Sequence, residues 1–149
     1  MSRTIPLPDE DATQRLGFVV AHALRTGEAV CLSGPLGAGK TTLARGLVRA
    51  LTRTDEDVPS PTFTLVQFYQ GEHFILAHFD LYRLTRPDEA FEIGLDEALE
   101  DGAALIEWPQ RLEGQLPLDR LDIEIAIEGE GRSARLTPHG SWEGRTLEF

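Results

Sequence analysis

The chain has 149 residues, 41% of them hydrophobic, with a formal net charge of −11. This length and composition suit one globular domain over residues 1–149, exclude a disordered chain, and leave no apolar run near the roughly 20 residues of a membrane helix. The acidity excludes a broad nucleic-acid-binding surface, which draws on clustered Lys and Arg: one of the 14 basic residues is a lysine, Lys40, and the arginines are scattered.

The N-terminus has no segment of signal-peptide type, and a single cysteine, Cys31, excludes an internal disulfide and a cysteine zinc cage. Cys31 lies in an apolar run and reads as a small core residue. Together these features predict a cytoplasmic protein.

Residues 9–24 read as the first helix, with acidic residues at the start, an apolar face of Leu16, Val19, Val20, Ala23 and Leu24, and Gly27 after the end. Residues 29–32 are a short apolar run that predicts a buried strand, and residues 42–51 carry Leu43, Leu47 and Leu51 at helical spacing. Between them runs Gly34-Pro35-Leu36-Gly37-Ala38-Gly39-Lys40-Thr41, a full match to the phosphate-loop pattern G-x-x-x-x-G-K-S/T. Glycines let successive N–H groups curl toward an anion, and the helix start adds partial positive charge. Lys40 is placed to reach β- and γ-phosphates, and the Thr41 hydroxyl to ligate Mg²⁺. Pro35 has no N–H, so the donors are expected from Gly37 onward.

Residues 52–61 are polar with two prolines and predict an exposed loop. Ser60-Pro61-Thr62-Phe63-Thr64 follows, with hydroxyls placed to close on a γ-phosphate as GTPase switches do. Residues 63–69 and 73–79 predict an antiparallel hairpin, so the sheet should be mixed. Residues 84–101 are helical in pattern, and residues 103–106 form another buried strand. In the last third, Leu121, Ile123, Ile125 and Ile127 alternate with polar residues, and residues 133–137 can return beside them after Gly129-Glu130-Gly131. Arg132 and Arg135 are expected to face the carboxylates of that C-terminal hairpin. The fold class expected is α/β: a P-loop NTPase domain with a mixed sheet, flanking helices and a C-terminal β-hairpin.

A phosphate loop needs an acidic partner for Mg²⁺ at a strand end. Two places qualify, Asp80 after residues 74–79 and Glu107 after residues 103–106. Trp108 follows Glu107, and Pro109 is expected to hold its backbone extended.

In order and spacing, GPLGAGKTT, SPTFTLV, HFDLYR, GLDEAL and IEWP resemble the TsaE family, also called YjeE. The resemblance covers residues 11–109 strongly and the tail weakly, and Pro35 stands where that family usually has Asp. It implies an ATPase serving the synthesis of threonylcarbamoyladenosine beside the tRNA anticodon. Such a protein acts with TsaB and TsaD, the latter carrying out the transfer, and meets tRNA only through the complex. It also implies site residues. Gly37, Ala38, Gly39, Lys40, Thr41 and Thr42 would hold ATP phosphates, and Thr41 and Glu107 would ligate Mg²⁺. Asp80 would act on the metal or its water, Ser60 to Thr64 would be switch-like, and Trp108 and Thr13 would lie by the nucleotide.

The competing reading is a small-molecule P-loop kinase, but no arginine-bearing lid is inserted late in the chain. A GTPase would need N-K-x-D, which is absent. The motifs supply neither a clear general base nor an arginine finger, so slow hydrolysis alone and stimulation by partners are expected.

Overall fold

The computed structural model describes residues 2–35, 37–52 and 65–148. Its elements in chain order are β1 (Arg3–Leu7), α1 (Glu10–Ala23), β2 (Ala29–Ser33), α2 (Lys40–Thr52), β3 (Val66–Gln70), β4 (Ile75–Asp80), α3 (Asp88–Glu92), α4 (Leu95–Asp101), β5 (Ala103–Glu107), β6 (Arg120–Glu128) and β7 (Gly131–His139), with 3₁₀ turns at Pro109–Leu112 and Gly140–Trp142. The strands form one seven-stranded sheet in the order β1-β7-β6-β2-β5-β4-β3. Strands β6, β2, β5 and β4 run parallel, and β3, β7 and β1 are antiparallel to their neighbours. This is the mixed α/β sheet the sequence predicts.

Alternation on a doubly covered strand explains the two cores. On β2, Val30 and Leu32 pack with Leu16, Val20, Leu43 and Leu47 of α1 and α2. Ala29 and Cys31 face the opposite way, with Phe79, Leu84, Leu95, Ile106 and Leu112. Burial, with the nearby charge of Asp122 adding to it, pushes the Cys31 thiol up to about 12, so it is an inert core residue.

Asp9 caps α1 by accepting the Ala12 N–H at 2.8 Å. Helices α1 and α2 meet through two glycines. A Cβ on Gly17 would strike the Leu43 carbonyl, and one on Gly46 the Gln14 carbonyl. This close approach sets the start of α1 beside the start of α2.

Some boundaries differ from expectation. The helical stretch after residue 84 is broken by Gly94 at φ 99° into α3 and α4. Strand β1 was not anticipated: it is short and carries Pro6, which only an edge strand accommodates. Arg135 lies opposite Glu124, as expected, but Arg132 lies opposite Ile127 and reaches away from the hairpin. Among the described residues no helix is long and apolar enough to cross a membrane.

Candidate functional site

Parallel strands bring their C-terminal ends to one edge. There β2 runs out toward the phosphate loop, Leu32 pairs with Glu107 on β5, and Glu107 pairs with Asp80 on β4. Ligands in α/β sheets gather at this edge. A cleft of about 620 Å³ opens over it, lined by residues 37–42 together with Thr13, Asp80, Tyr82, Glu107, Trp108 and Arg132 among others.

The loop has the conformation its glycines allow. Gly37 and Gly39 adopt φ of 79° and 104°, which an L side chain rarely accepts. Helix α2 starts at Lys40, so its first turn, whose leading N–H groups have no acceptor within the helix, lies at the cleft with Thr41 exposed. Ala38 N–H is turned back to the Pro35 carbonyl at 3.2 Å, which ties up one of the donors expected from this loop.

Lys40 is 7% exposed. Its Nζ donates to the Gly34 carbonyl at 2.7 Å and sits 4.3 Å from the centre of the Trp108 ring. Burial holds its ammonium below the ordinary value, while the charges of Glu107 and Asp80 pull the other way.

Asp80 and Glu107 are both 4% exposed. Asp80 Oδ1 accepts the Tyr82 N–H at 3.1 Å. Glu107 Oε2 lies 2.7 Å from Nε2 of His78, which opens the HFDLYR motif and carries no site signal of its own in the sequence. Hard oxygen donors of this kind suit Mg²⁺, which takes one or two carboxylates and fills its shell with water and phosphate.

Trp108 corrects one expectation. Its backbone is not extended but left-handed, with φ 61° and ψ 51°. The chain leaves β5 at Glu107 and must turn at once into the 3₁₀ turn that Pro109 opens, with Arg111 N–H donating to the Trp108 carbonyl at 3.1 Å. A non-glycine residue held there costs on the order of 1–3 kcal/mol, and such strain gathers at functional sites. The ring is fixed by Lys40 on one side and by Tyr82, with centroids 4.9 Å apart.

Thr13 is buried at the cleft, its methyl 3.6 Å from where a Cβ on Gly39 would be. Thr42 is half-buried on the first turn of α2. The switch-like stretch, Ser60, Pro61, Thr62, Phe63 and Thr64, lies outside the described residues. Arg132 was placed on the hairpin face by sequence, yet its Nη2 donates to the Gly37 carbonyl at 3.1 Å. The cause is topological. Because β6 runs parallel to β2, the turn joining β6 to β7 lands at the phosphate-loop edge. The Gly129-Glu130-Gly131 turn was readable, but its place in the sheet was not.

A glycine loop between a parallel strand and a helix start, with two carboxylates on neighbouring strand ends, defines a P-loop nucleotide-binding fold. The family model described as threonylcarbamoyl adenosine biosynthesis protein TsaE matches residues 7–135, and the chain belongs to that family. Among its relatives is a protein of Rickettsia felis, 34% identical over 145 residues, covering 96% of this chain and 84% of the relative. Another, from Nostoc, is 38% identical over 138 residues, covering 89% and 83%. A third, from Bacillus subtilis, is 39% identical over 124 residues, covering 83% and 75%. All three are called tRNA threonylcarbamoyladenosine biosynthesis protein TsaE. The crystal structure of Bacillus subtilis YdiB superposes with a TM-score of 0.79 at 29% identity, covering 96% of this chain and 90% of that one.

Proposed function

We propose that this chain is a single-domain, Mg²⁺-dependent ATPase that serves the threonylcarbamoyl modification of tRNA adenosine, acting with TsaB and TsaD and meeting tRNA through them. The observation that carries the reading is the convergence of Lys40, Thr41, Asp80 and Glu107 on one cleft beside an intact phosphate loop. The family membership supports the pathway, and the −11 charge supports an indirect meeting with tRNA.

In this reading the loop N–H groups from Gly37 to Thr42 and the start of α2 hold the phosphates. Ala38 N–H leaves the Pro35 carbonyl when they arrive, and Lys40 leaves the Gly34 carbonyl for the β- and γ-phosphate oxygens. That exchange gives a partly desolvated ammonium the anionic partner its burial lacks. Thr41 Oγ1 and Glu107 would hold Mg²⁺, which would supply positive charge beside the transferred phosphoryl group. Asp80 orients the water that attacks the γ-phosphorus, releasing ADP and phosphate. Thr13, Trp108 and Arg132 bound the rest of the nucleotide.

The test is product analysis. Incubated with ATP and Mg²⁺, the chain should release free phosphate slowly, and adding TsaB and TsaD should raise the rate. Transfer of phosphate to a small acceptor, or a fast rate indifferent to both partners, would replace this reading with that of a kinase or a self-sufficient hydrolase.

A further inference from the structure

Beneath the acidic pair lies a buried histidine with no evident structural reason to be there. His78 is 1% exposed in the middle of β4, on the same face as Asp80 two residues on. Its register partner on β5 is Leu105, which places Glu107 diagonally across the strand pair, within reach of a long side chain. Nε2 meets Glu107 Oε2 at 2.7 Å, whereas Nδ1 is buried with no hydrogen-bond partner among the described residues.

That asymmetry assigns the hydrogens. A carboxylate accepts, so Nε2 carries the hydrogen and donates. Nδ1 then presents a bare lone pair, since a second N–H there would be a buried donor without an acceptor. An orphaned polar atom of this kind costs on the order of 1–3 kcal/mol. A leucine on this face of β4 would avoid that cost, as Leu76 does two residues earlier. Residues that cost stability in this way are expected at functional sites.

We propose that His78 is a positioning residue: its Nε2–H fixes the Glu107 carboxylate through Oε2, leaving Oε1 to meet Mg²⁺ in the cleft. This rests on the proposed Mg²⁺–nucleotide reading. A metal-ligating carboxylate is itself hydrogen-bonded, and losing that outer bond typically weakens metal affinity or activity by roughly ten- to a hundredfold. His78 would supply that bond without touching the metal or the nucleotide.

Two variants and one spectrum test it. His78→Leu removes the donor and keeps the site apolar. His78→Gln keeps an amide N–H at about the reach of Nε2. ADP binding is titrated with and without Mg²⁺, alongside thermal melting. His78→Leu should keep the fold with at most a modest fall in melting temperature, because relief of the orphaned Nδ1 offsets part of the cost of leaving Glu107 Oε2 unpartnered. It should hold metal-free ADP as the unaltered protein does, yet lose roughly tenfold or more of the gain that Mg²⁺ gives. His78→Gln should restore much of that gain. An unchanged Mg²⁺ gain in folded His78→Leu overturns the proposal. So does an equal loss with and without Mg²⁺ that Gln does not rescue. A protein that binds no nucleotide, or binds it indifferently to Mg²⁺, takes the parent reading down as well. If His78→Leu does not fold, long-range ¹H–¹⁵N correlation on the unaltered protein decides: Nε2 protonated and Nδ1 bare supports the proposal, and the opposite tautomer overturns it.

Discussion

The two ends of the parallel sheet carry the same three kinds of side chain: a buried carboxylate, a cation and a tryptophan. Below the N-terminal end of β2 sits Glu28, with Arg145 and Trp142 from the C-terminal tail. At the C-terminal edge sits Glu107, with Lys40 and Trp108. Glu28 and Glu107 are equally buried, each 4% exposed. Their surroundings are not equal. Glu28 takes two guanidinium bonds from Arg145 at 2.8 and 2.6 Å, the Ser141 hydroxyl at 2.6 Å and the Arg25 N–H at 2.9 Å. The Glu107 carboxylate has one described hydrogen-bond partner, His78, and a cation that is bonded elsewhere, to Gly34. Burial alone does not mark a functional carboxylate. What separates the two ends is whether the lone pairs are already filled.

The largest effect should come from the open end. Lys40→Ala removes the charge that the proposed function assigns to the transferring phosphate and should lower ATP turnover by roughly 10²–10³-fold or more, the scale of losing one preorganised stabilising group. Lys40 makes one carbonyl bond and one ring contact, so the melting temperature should hardly move. Near-normal turnover by a folded Lys40→Ala protein would break the comparison at its open end.

The closed end should answer in the opposite currency. Arg145→Met strands a buried carboxylate and should destabilise the fold by about 3–5 kcal/mol, while turnover per folded molecule is kept. Denaturant melts read it, and adding Glu28→Gln to Arg145→Met should recover much of the loss. Burial pushes Glu28 up, but the Arg145 and Ser141 bonds, the Arg25 N–H and the Arg145 charge outweigh it, leaving the carboxyl below its ordinary 4.5. A depressed carboxylate contributes stability above its unfolded value and loses it as pH falls through the folded one. The unaltered protein should therefore lose this contribution only below about pH 4.5, and Arg145→Met should show a flatter acid limb.

The two ends also differ in how far sequence reaches. Phosphate loop, carboxylates and Trp108 were legible because local chemistry fixes them: a glycine pattern, a strand end, a motif string. Helices, hairpins and the mixed sheet followed from periodicity. What escaped depends on pairing between distant segments. Arg145 meets Glu28 across 117 positions, and Arg132 meets Gly37 across 95. Neither can be read without knowing that β6 lies parallel to β2. His78 escaped for a different reason. Its alternation with Phe79 and Asp80 is that of any strand, and only the diagonal to Glu107 gives it a partner.

Within the open end, Asp80 and Glu107 should fail differently. Glu107→Ala should weaken Mg²⁺-dependent nucleotide binding as well as turnover. Asp80→Ala should keep more affinity while turnover falls, as expected for a group that orients water. Calorimetric titration of both variants with and without Mg²⁺ reads the split, and the reverse pattern would exchange the two roles.

The smallest effect is optical, and it compares the two ends directly. Each tryptophan lies against a cation: Trp108 with Lys40 Nζ at 4.3 Å, Trp142 with the Arg145 guanidinium carbon at 4.4 Å. Trp142 is 1% exposed and lines none of the cleft, and Arg145 is committed to Glu28. Nothing that enters the cleft should alter its surroundings. Trp108 is half-buried and lines the cleft, and under the proposed function it would lose its cation as Lys40 turns to phosphate. Its left-handed backbone also limits how the ring can re-pack. In a Trp142→Phe protein, ATP with Mg²⁺ should still change the emission. In a Trp108→Phe protein the change should largely vanish, and affinity or turnover should drop. A response that follows Trp142 instead would mean that the closed end moves with the ligand, and the contrast between a filled and an open carboxylate would no longer separate structure from function.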